Sequence, residues 1–314
     1  MEQQAGFTPE NQRRLDEFLA QKHEPGSVAA FDLDGTIVHN DTGEAVFYHM
    51  ARQGMMDLQT ILESPGIWEP FERHPDVPNP KPALVELLTN PATRPAFASA
   101  FIRAYRLLIR RAGKTVAYPW VTCLLAGKKP EEISQISEEV IAAELNRSLR
   151  STWMKGGPPD NRPIELHSGL RPYTAMHQLI ARMQEVGIDV WIVTASNRWT
   201  AATYAERYLN LPPQRVIGMT PRVINGVITA EMDPDIPVTF GKGKNTAIRK
   251  LIGPRPVFAA GDTINQSEML CMASALRLVI HKGDRELLKR VADYQAAGET
   301  NWLIQPQFIE PPRR

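Results

Sequence analysis

The sequence predicts a doubly wound, mostly parallel α/β sheet with a helical cap inserted after its first strand, and three observations predict it. Short apolar runs that suit strands buried on both faces recur at residues 28–33, 189–194, 256–261 and 276–281. Helical patterns separate the later runs, and strands alternating with helices imply parallel pairing. Between the first run and the second, residues 40–164 carry helical patterns and a Pro-rich passage. The predicted division is therefore an α/β core from 1–39 and 165–314 and a helical cap from 40–164.

The elements follow in order. Residues 8–22 read as a polar helix with Leu15, Phe18 and Leu19 at helical spacing, ended by Glu24-Pro25-Gly26. The first strand stops at the turn signal Asp34-Gly35. In the insertion, helices are predicted over 45–51, 97–111 and 130–149. The last of these has Ile133, Ile136, Val140, Ile141 and Leu145 on one stripe. Residues 64–82 hold six prolines, which rules out a long regular element there. Gly156-Gly157-Pro158-Pro159 marks the way out.

Beyond 165 a helix over 173–186 is closed by Gly187, with Met176, Leu179, Ile180 and Met183 on one side. The strand 189–194 and a helix over 199–209 come next. Asn225-Gly226 between apolar residues predicts a hairpin over 223–229. Helices over 244–251 and 268–273 flank the strand 256–261, and 276–281 is predicted as the last strand. Ligands of such sheets bind beyond the carboxyl ends of the strands, so the insertion would lie over that place as a lid.

Composition excludes several roles. A formal net charge of +1 gives no field that draws the chain to nucleic acid or an acidic membrane. No apolar run reaches the roughly 18 residues of a membrane helix. Cys123 and Cys271 lie far apart in apolar surroundings and read as buried free thiols. The first residues lack the basic start and apolar core of a signal peptide, so a cytoplasmic location is expected. The histidines show no metal-ligand spacing; His39, His49 and His177 read as packing or surface residues.

The chemistry concentrates where strands end. Asp32-Leu33-Asp34-Gly35-Thr36 places two aspartates on either side of a turn. One can attack phosphorus as a carboxylate, and the other can give a proton to the leaving alkoxide. Carboxylates so close repel one another unless a divalent cation joins them, and oxygen ligands of this kind suit Mg²⁺. Thr194-Ala195-Ser196 puts hydroxyls between a strand and a helix, where they can hold a phosphate oxygen or cap the helix. Gly241-Lys242-Gly243-Lys244 supplies ammonium groups beside glycines. Gly261-Asp262-Thr263-Ile264-Asn265 adds a third acid at a strand end, suited to a remaining metal ligand.

These four segments, in this order, resemble the haloacid dehalogenase superfamily of phosphohydrolases, whose core is Rossmann-like. The resemblance spans about 28–38 and 165–282, while the insertion resembles a C1-type cap by position. It implies that Asp32 is the nucleophile, forming an aspartyl-phosphate, and that Asp34 is the general acid and then the base for water. It implies that Thr194 holds the phosphoryl group and Lys242 neutralises charge between Asp32 and the phosphate, with Lys244 as a rival for that lysine. Mg²⁺ would be held by the Asp32 carboxylate, the Asp34 backbone carbonyl and Asp262. Gly35, Thr36, Ala195 and Asn265 would complete the phosphate site. The sequence departs from the family pattern once, with Gln266 where an aspartate often follows Asn265; Glu268 is the candidate to replace that carboxylate.

The passage 36–48 and residues 255–262 also resemble phosphorylcholine phosphatases and phosphoserine-phosphatase-like proteins. The resemblance implies a small phosphomonoester as partner, with Glu44 and Tyr48 as substrate residues. A choline headgroup would want an aromatic cage, for which Tyr48, Trp68, Tyr118 and Trp120 are candidates beside Glu44, although buried aromatics mostly serve cores. A haloalkanoate dehalogenase would need neither metal nor Asp34. A phosphomutase, or a silent binder of phosphorylated ligands favoured by Gln266, are the alternatives.

Overall fold

The computed structural model of the chain describes residues 6–155, 162–253 and 255–308. Six strands form its central sheet: β1 (Val28–Phe31), β2 (Asp189–Asn197), β3 (Val216–Met219), β4 (Phe258–Gly261), β5 (Leu276–His281) and β6 (Trp302–Pro306). Their spatial order is β6-β5-β4-β1-β2-β3, and every pairing is parallel. The chain steps outward from β1 to β3 on one side, then returns to the other side of β1 to lay down β4 to β6. The order thus reverses between β1 and β4, and their carboxyl ends form the switch point at which open α/β sheets bind ligands.

Both faces of the sheet are covered, which is why its strands are apolar throughout. Phe31, Val190, Ile192, Phe258 and Leu278 pack on one face with the helices Pro9–Leu19, Thr174–Glu185 and Arg198–Leu209. Val28, Ala30, Val193 and Ile217 pack on the other with Ala247, Ile248 and Met269. The predicted strands and helices of this part stand close to their predicted places. The hairpin forms at Pro221–Ile224 and Val227–Met232, with Asn225 and Gly226 both at positive φ as a tight primed turn requires.

Three features differ from the sequence prediction. The sheet does not end at 281: the helix Arg285–Ala296 leads to β6, an edge strand. Gln305 disguised it, a polar residue in a buried position. Its side chain accepts hydrogen bonds from the Thr8 amide (2.9 Å) and Asn11 Nδ2 (3.0 Å), tying the first helix to the sheet edge. Arg150–Met154 and Ile164–Ser168 form an antiparallel ribbon where only the end of the insertion was predicted. The turn signal at 156–159 lies outside the described residues. Finally, the helix over 244–251 begins earlier, at Lys242, and continues beyond Ala247 as a π-turn over Ile248–Ile252.

Residues 40–164 form seven helices among those described: Thr42–Gln53, Leu58–Glu63, Pro65–Arg73, Lys81–Thr89, Arg94–Arg111, Lys114–Cys123 and Pro130–Leu145. The Pro-rich passage holds one nine-residue helix, with Pro65 at its start, where no amide bond is lost, and Pro70 inside it, and the start of the next helix at Lys81. Phe97, Phe101, Trp68, Phe71 and Trp120 build a second apolar cluster, with Trp120 Nε1 donating to the Ile67 carbonyl at 3.0 Å. Ile228 of the hairpin belongs to this cluster, and its backbone bonds Gly127 and Lys128 of the insertion.

Candidate active site

The ends of β1, β2 and β4 line one side of a cavity of about 190 Å³, and the inserted helices line the other. Register explains the first side. Phe31 pairs with Ala260 and the Asp32 amide donates to the Ala260 carbonyl at 3.0 Å, so Asp32 and Asp262 leave the sheet side by side. The β2–β3 register shifts between Val193 and Asn197, and a break of this kind re-aims side chains. Thr194, Ala195 and Ser196 within it all face the cavity.

Asp32 is buried and both its oxygens have donors. Lys244 Nζ lies 2.6 Å from Oδ1, and Gln266 Nε2 lies 2.7 Å from Oδ2. The Gln266 amide can have only this orientation, since its Oε1 accepts from the backbone N–H and the hydroxyl of Thr263. The lysine at the nucleophile candidate is therefore Lys244, and Lys242 is exposed. The reason is helical geometry: two residues apart on a helix point roughly 200° apart, so one lysine of the pair must face away. Gly243 between them is required, because a Cβ there would collide with the Val238 carbonyl.

Asp34 is held by three donors. Its Oδ1 accepts from the Thr42 amide (2.7 Å) and hydroxyl (2.8 Å), and its Oδ2 from Ser196 Oγ at 2.6 Å. Burial, reinforced by the Asp41 carboxylate, nevertheless pushes its pKa up to about 8. Burial and the charge of Asp32 raise Asp262 to about 6, against the pull of the Lys282 ammonium paired with it. Asp41 caps the helix Thr42–Gln53 by accepting from the Glu44 amide at 2.8 Å. Burial and then Glu44 raise it to about 7. Glu44 is also raised by burial, while the Tyr48 hydroxyl donates to its Oε2 at 2.9 Å.

The remaining predicted residues divide. Thr194 and Asn265 line the cavity, and the Thr194 hydroxyl accepts from the Ser196 amide at 3.1 Å, leaving its own proton free to donate. Gly35 lies at a neighbouring cavity shared with His39 and Tyr48. Thr36 does not reach either: it is fully buried, with no partner for its hydroxyl among the described residues. Glu268 pairs with Arg290 at 3.4 Å and does not replace the missing carboxylate; Gln266 stands in that place itself. Trp68 and Trp120 belong to the core of the insertion and build no cage. Glu44, Phe47 and Tyr118 do line the cavity, with Tyr105 and Phe240, which the sequence did not single out. Lys114 rests over the rings of Tyr118 (5.7 Å) and Phe240 (6.0 Å), with no carboxylate at ion-pair distance among the described residues.

A divalent metal fits the donor set. Asp32 and Asp262 offer two buried carboxylates at adjacent strand ends, hard oxygen ligands of the kind Mg²⁺ takes, and the Lys282 ammonium stands in as a cation against Asp262. Among the described residues no three His, Cys, Asp or Glu side chains converge on one point.

The fold and site define an α/β protein with a buried carboxylate at its sheet switch point, charge-paired with a lysine and beside a second acid. The sequence profile of the haloacid dehalogenase-like hydrolases matches residues 29–265, and the chain belongs to that family. A comparison with curated proteins gives no match. Among solved structures, the chain is similar to a conserved protein of unknown function from Anaerococcus prevotii DSM 20548, at 19% identity and a TM-score of 0.75. That match covers 96% of this chain and 95% of the other. It is also similar to a protein of unknown function from Bordetella pertussis Tohama I, at 16% identity and a TM-score of 0.57, over 91% and 100% of the two chains. At these identities the likeness concerns the fold.

Proposed function

We propose that the protein is a Mg²⁺-dependent phosphatase that transfers phosphate from a small phosphomonoester to Asp32 and then to water. The observation that carries this reading is the pair of aspartates in different surroundings, one against an ammonium and the other among neutral donors. Asp32 is paired with the Lys244 ammonium and the Gln266 amide, and burial pushes the pKa of Asp34 up to about 8, which suits it to give a proton. Asp32 attacks phosphorus while Asp34 protonates the leaving oxygen; Asp34, then ionised, takes a proton from the water that cleaves the aspartyl-phosphate. Thr194 and Asn265 hold phosphoryl oxygens, and Lys244 keeps its charge at the seam between nucleophile and phosphate. Asp32, the Asp34 carbonyl and Asp262 would hold the metal, which supplies further charge neutralisation. Residues 40–164 act as the cap that keeps bulk water from the site. The free thiols of Cys123 and Cys271 support a reducing, cytoplasmic setting. No helix among the described residues is long and apolar enough to cross a membrane.

The leaving group is small, of the phosphorylcholine or phosphoserine kind, because the cavity is small and Asp41 and Glu44 line it beside aromatic rings. Lys114 already covers the Tyr118 and Phe240 rings, which favours the phosphoserine-like member, whose carboxylate it can meet. Phosphate release from phosphorylcholine, phosphoserine, sugar phosphates and p-nitrophenyl phosphate, with Mg²⁺ and with EDTA, tests the reading. Release only with metal is expected. Metal-bound protein that releases nothing from any ester would overturn it in favour of a mutase or a silent binder.

A further inference from the structure

Two lysines meet the carboxylates of the site, and they differ in kind. Lys244 is 1% exposed and locked on Asp32; Lys282 is 32% exposed, lines both cavities and pairs with Asp262. Lys282 follows β5, the strand next to β4, so neighbouring strand ends deliver ammonium and carboxylate together. The pair packs against Gly35, where a Cβ would collide with both Lys282 Nζ and the Asp262 carboxylate. Gly35 is at φ +80°, so the turn after Asp34 doubles as the seat of this ammonium.

We infer that Lys282 is a built-in competitor for the divalent metal at Asp262. This rests on the proposed reading of Asp262 as a metal ligand. In the metal-free protein the ammonium neutralises a buried carboxylate that would otherwise stand beside the charge of Asp32. A divalent cation bound to the same carboxylate meets that ammonium as a like charge, so the lysine must give way or weaken the site. Its partial exposure gives it somewhere to go, which Lys244 lacks. Metal affinity is thereby set low, and occupancy follows the free metal concentration.

The test is calorimetric titration of the full chain with Mn²⁺ and Mg²⁺, with no substrate present, on wild type, Lys282→Met and Lys282→Gln. Both variants should bind metal at least about fivefold more tightly than wild type. Gln keeps a donor for Asp262 without the charge, so it tests the charge effect even if Lys282→Met fails to fold. The exposed Lys22→Met serves as the control and should match wild type. In EDTA, Lys282→Met should melt below wild type, and the gap should close on adding Mn²⁺. Unchanged or weaker metal binding in a folded Lys282→Gln overturns the inference. Absence of metal binding in wild type and both variants would instead overturn the metal reading on which it rests.

Discussion

On the sheet side of the cavity each acidic group is matched: Asp32 by Lys244 and Gln266, Asp34 by Thr42 and Ser196, Asp262 by Lys282. On the other side the lining is largely rings, methionines and a lysine over two ring faces with no carboxylate partner among the described residues, beside the carboxyls of Asp41 and Glu44. Apart from the partly exposed Lys282, the first side is built of short bonds between buried groups, which cannot shift without stranding a charge. The second is built of apolar and cation–π contacts, which tolerate displacement. In the proposed reading, that contrast gives the chemistry to the sheet and selection to the opposite wall.

Substitutions on the two sides should therefore fail differently. Asp32→Asn should lower turnover by about 10⁴-fold or more while the melting temperature stays near wild type; substantial residual activity would place the attack elsewhere. Asp34→Asn should cost about 10²–10⁴-fold with an alkyl phosphate and far less with p-nitrophenyl phosphate, whose leaving group needs no proton. Equal losses on both esters would remove the acid role. Lys244→Met should cost about 10²-fold or more, and Lys242→Met less than about twofold; the reverse order would restore Lys242. Phe240→Ala, at a core ring that meets Tyr118 and Lys114 of the insertion, should raise KM roughly tenfold with little change in kcat, since it touches no reacting atom. A fall in kcat alone would blur the division.

The smallest effect is on stability. Asp34, Asp41 and Asp262 have folded-state pKa values of about 8, 7 and 6, all above the ordinary aspartate value. Each binds a proton in the folded chain that the unfolded chain has released, so stability is lost as pH rises from about 4 through about 8. In EDTA the melting temperature should be higher at pH 6 than at pH 8, and Mg²⁺ should raise it more at pH 8. A metal-free protein equally stable at both would deny the buried acids their protons.

Sequence alone determined the strand ends that carry Asp32, Asp34, Thr194 and Asp262, because a strand buried on both faces is apolar and the polar residue that follows it is conspicuous. It determined the hairpin turn too, since Asn225 and Gly226 are residue types that tolerate positive φ. It could not separate Lys242 from Lys244, since both fit the same basic phrase and only the phase of the helix on the sheet decides which one turns inward. Nor could it see β6, whose buried Gln305 reads as polar until the N-terminal helix supplies its partners. Gln266 looked like a lost acid, yet Thr263 turns its amide into a donor for Asp32. Lys282, Tyr105 and Phe240 come from distant segments with no common spacing. Only packing the helices over the sheet places them around one cavity. Local pattern specifies what a strand end offers; which side chains meet there depends on contacts between residues far apart in the chain, and these only the tertiary structure decided.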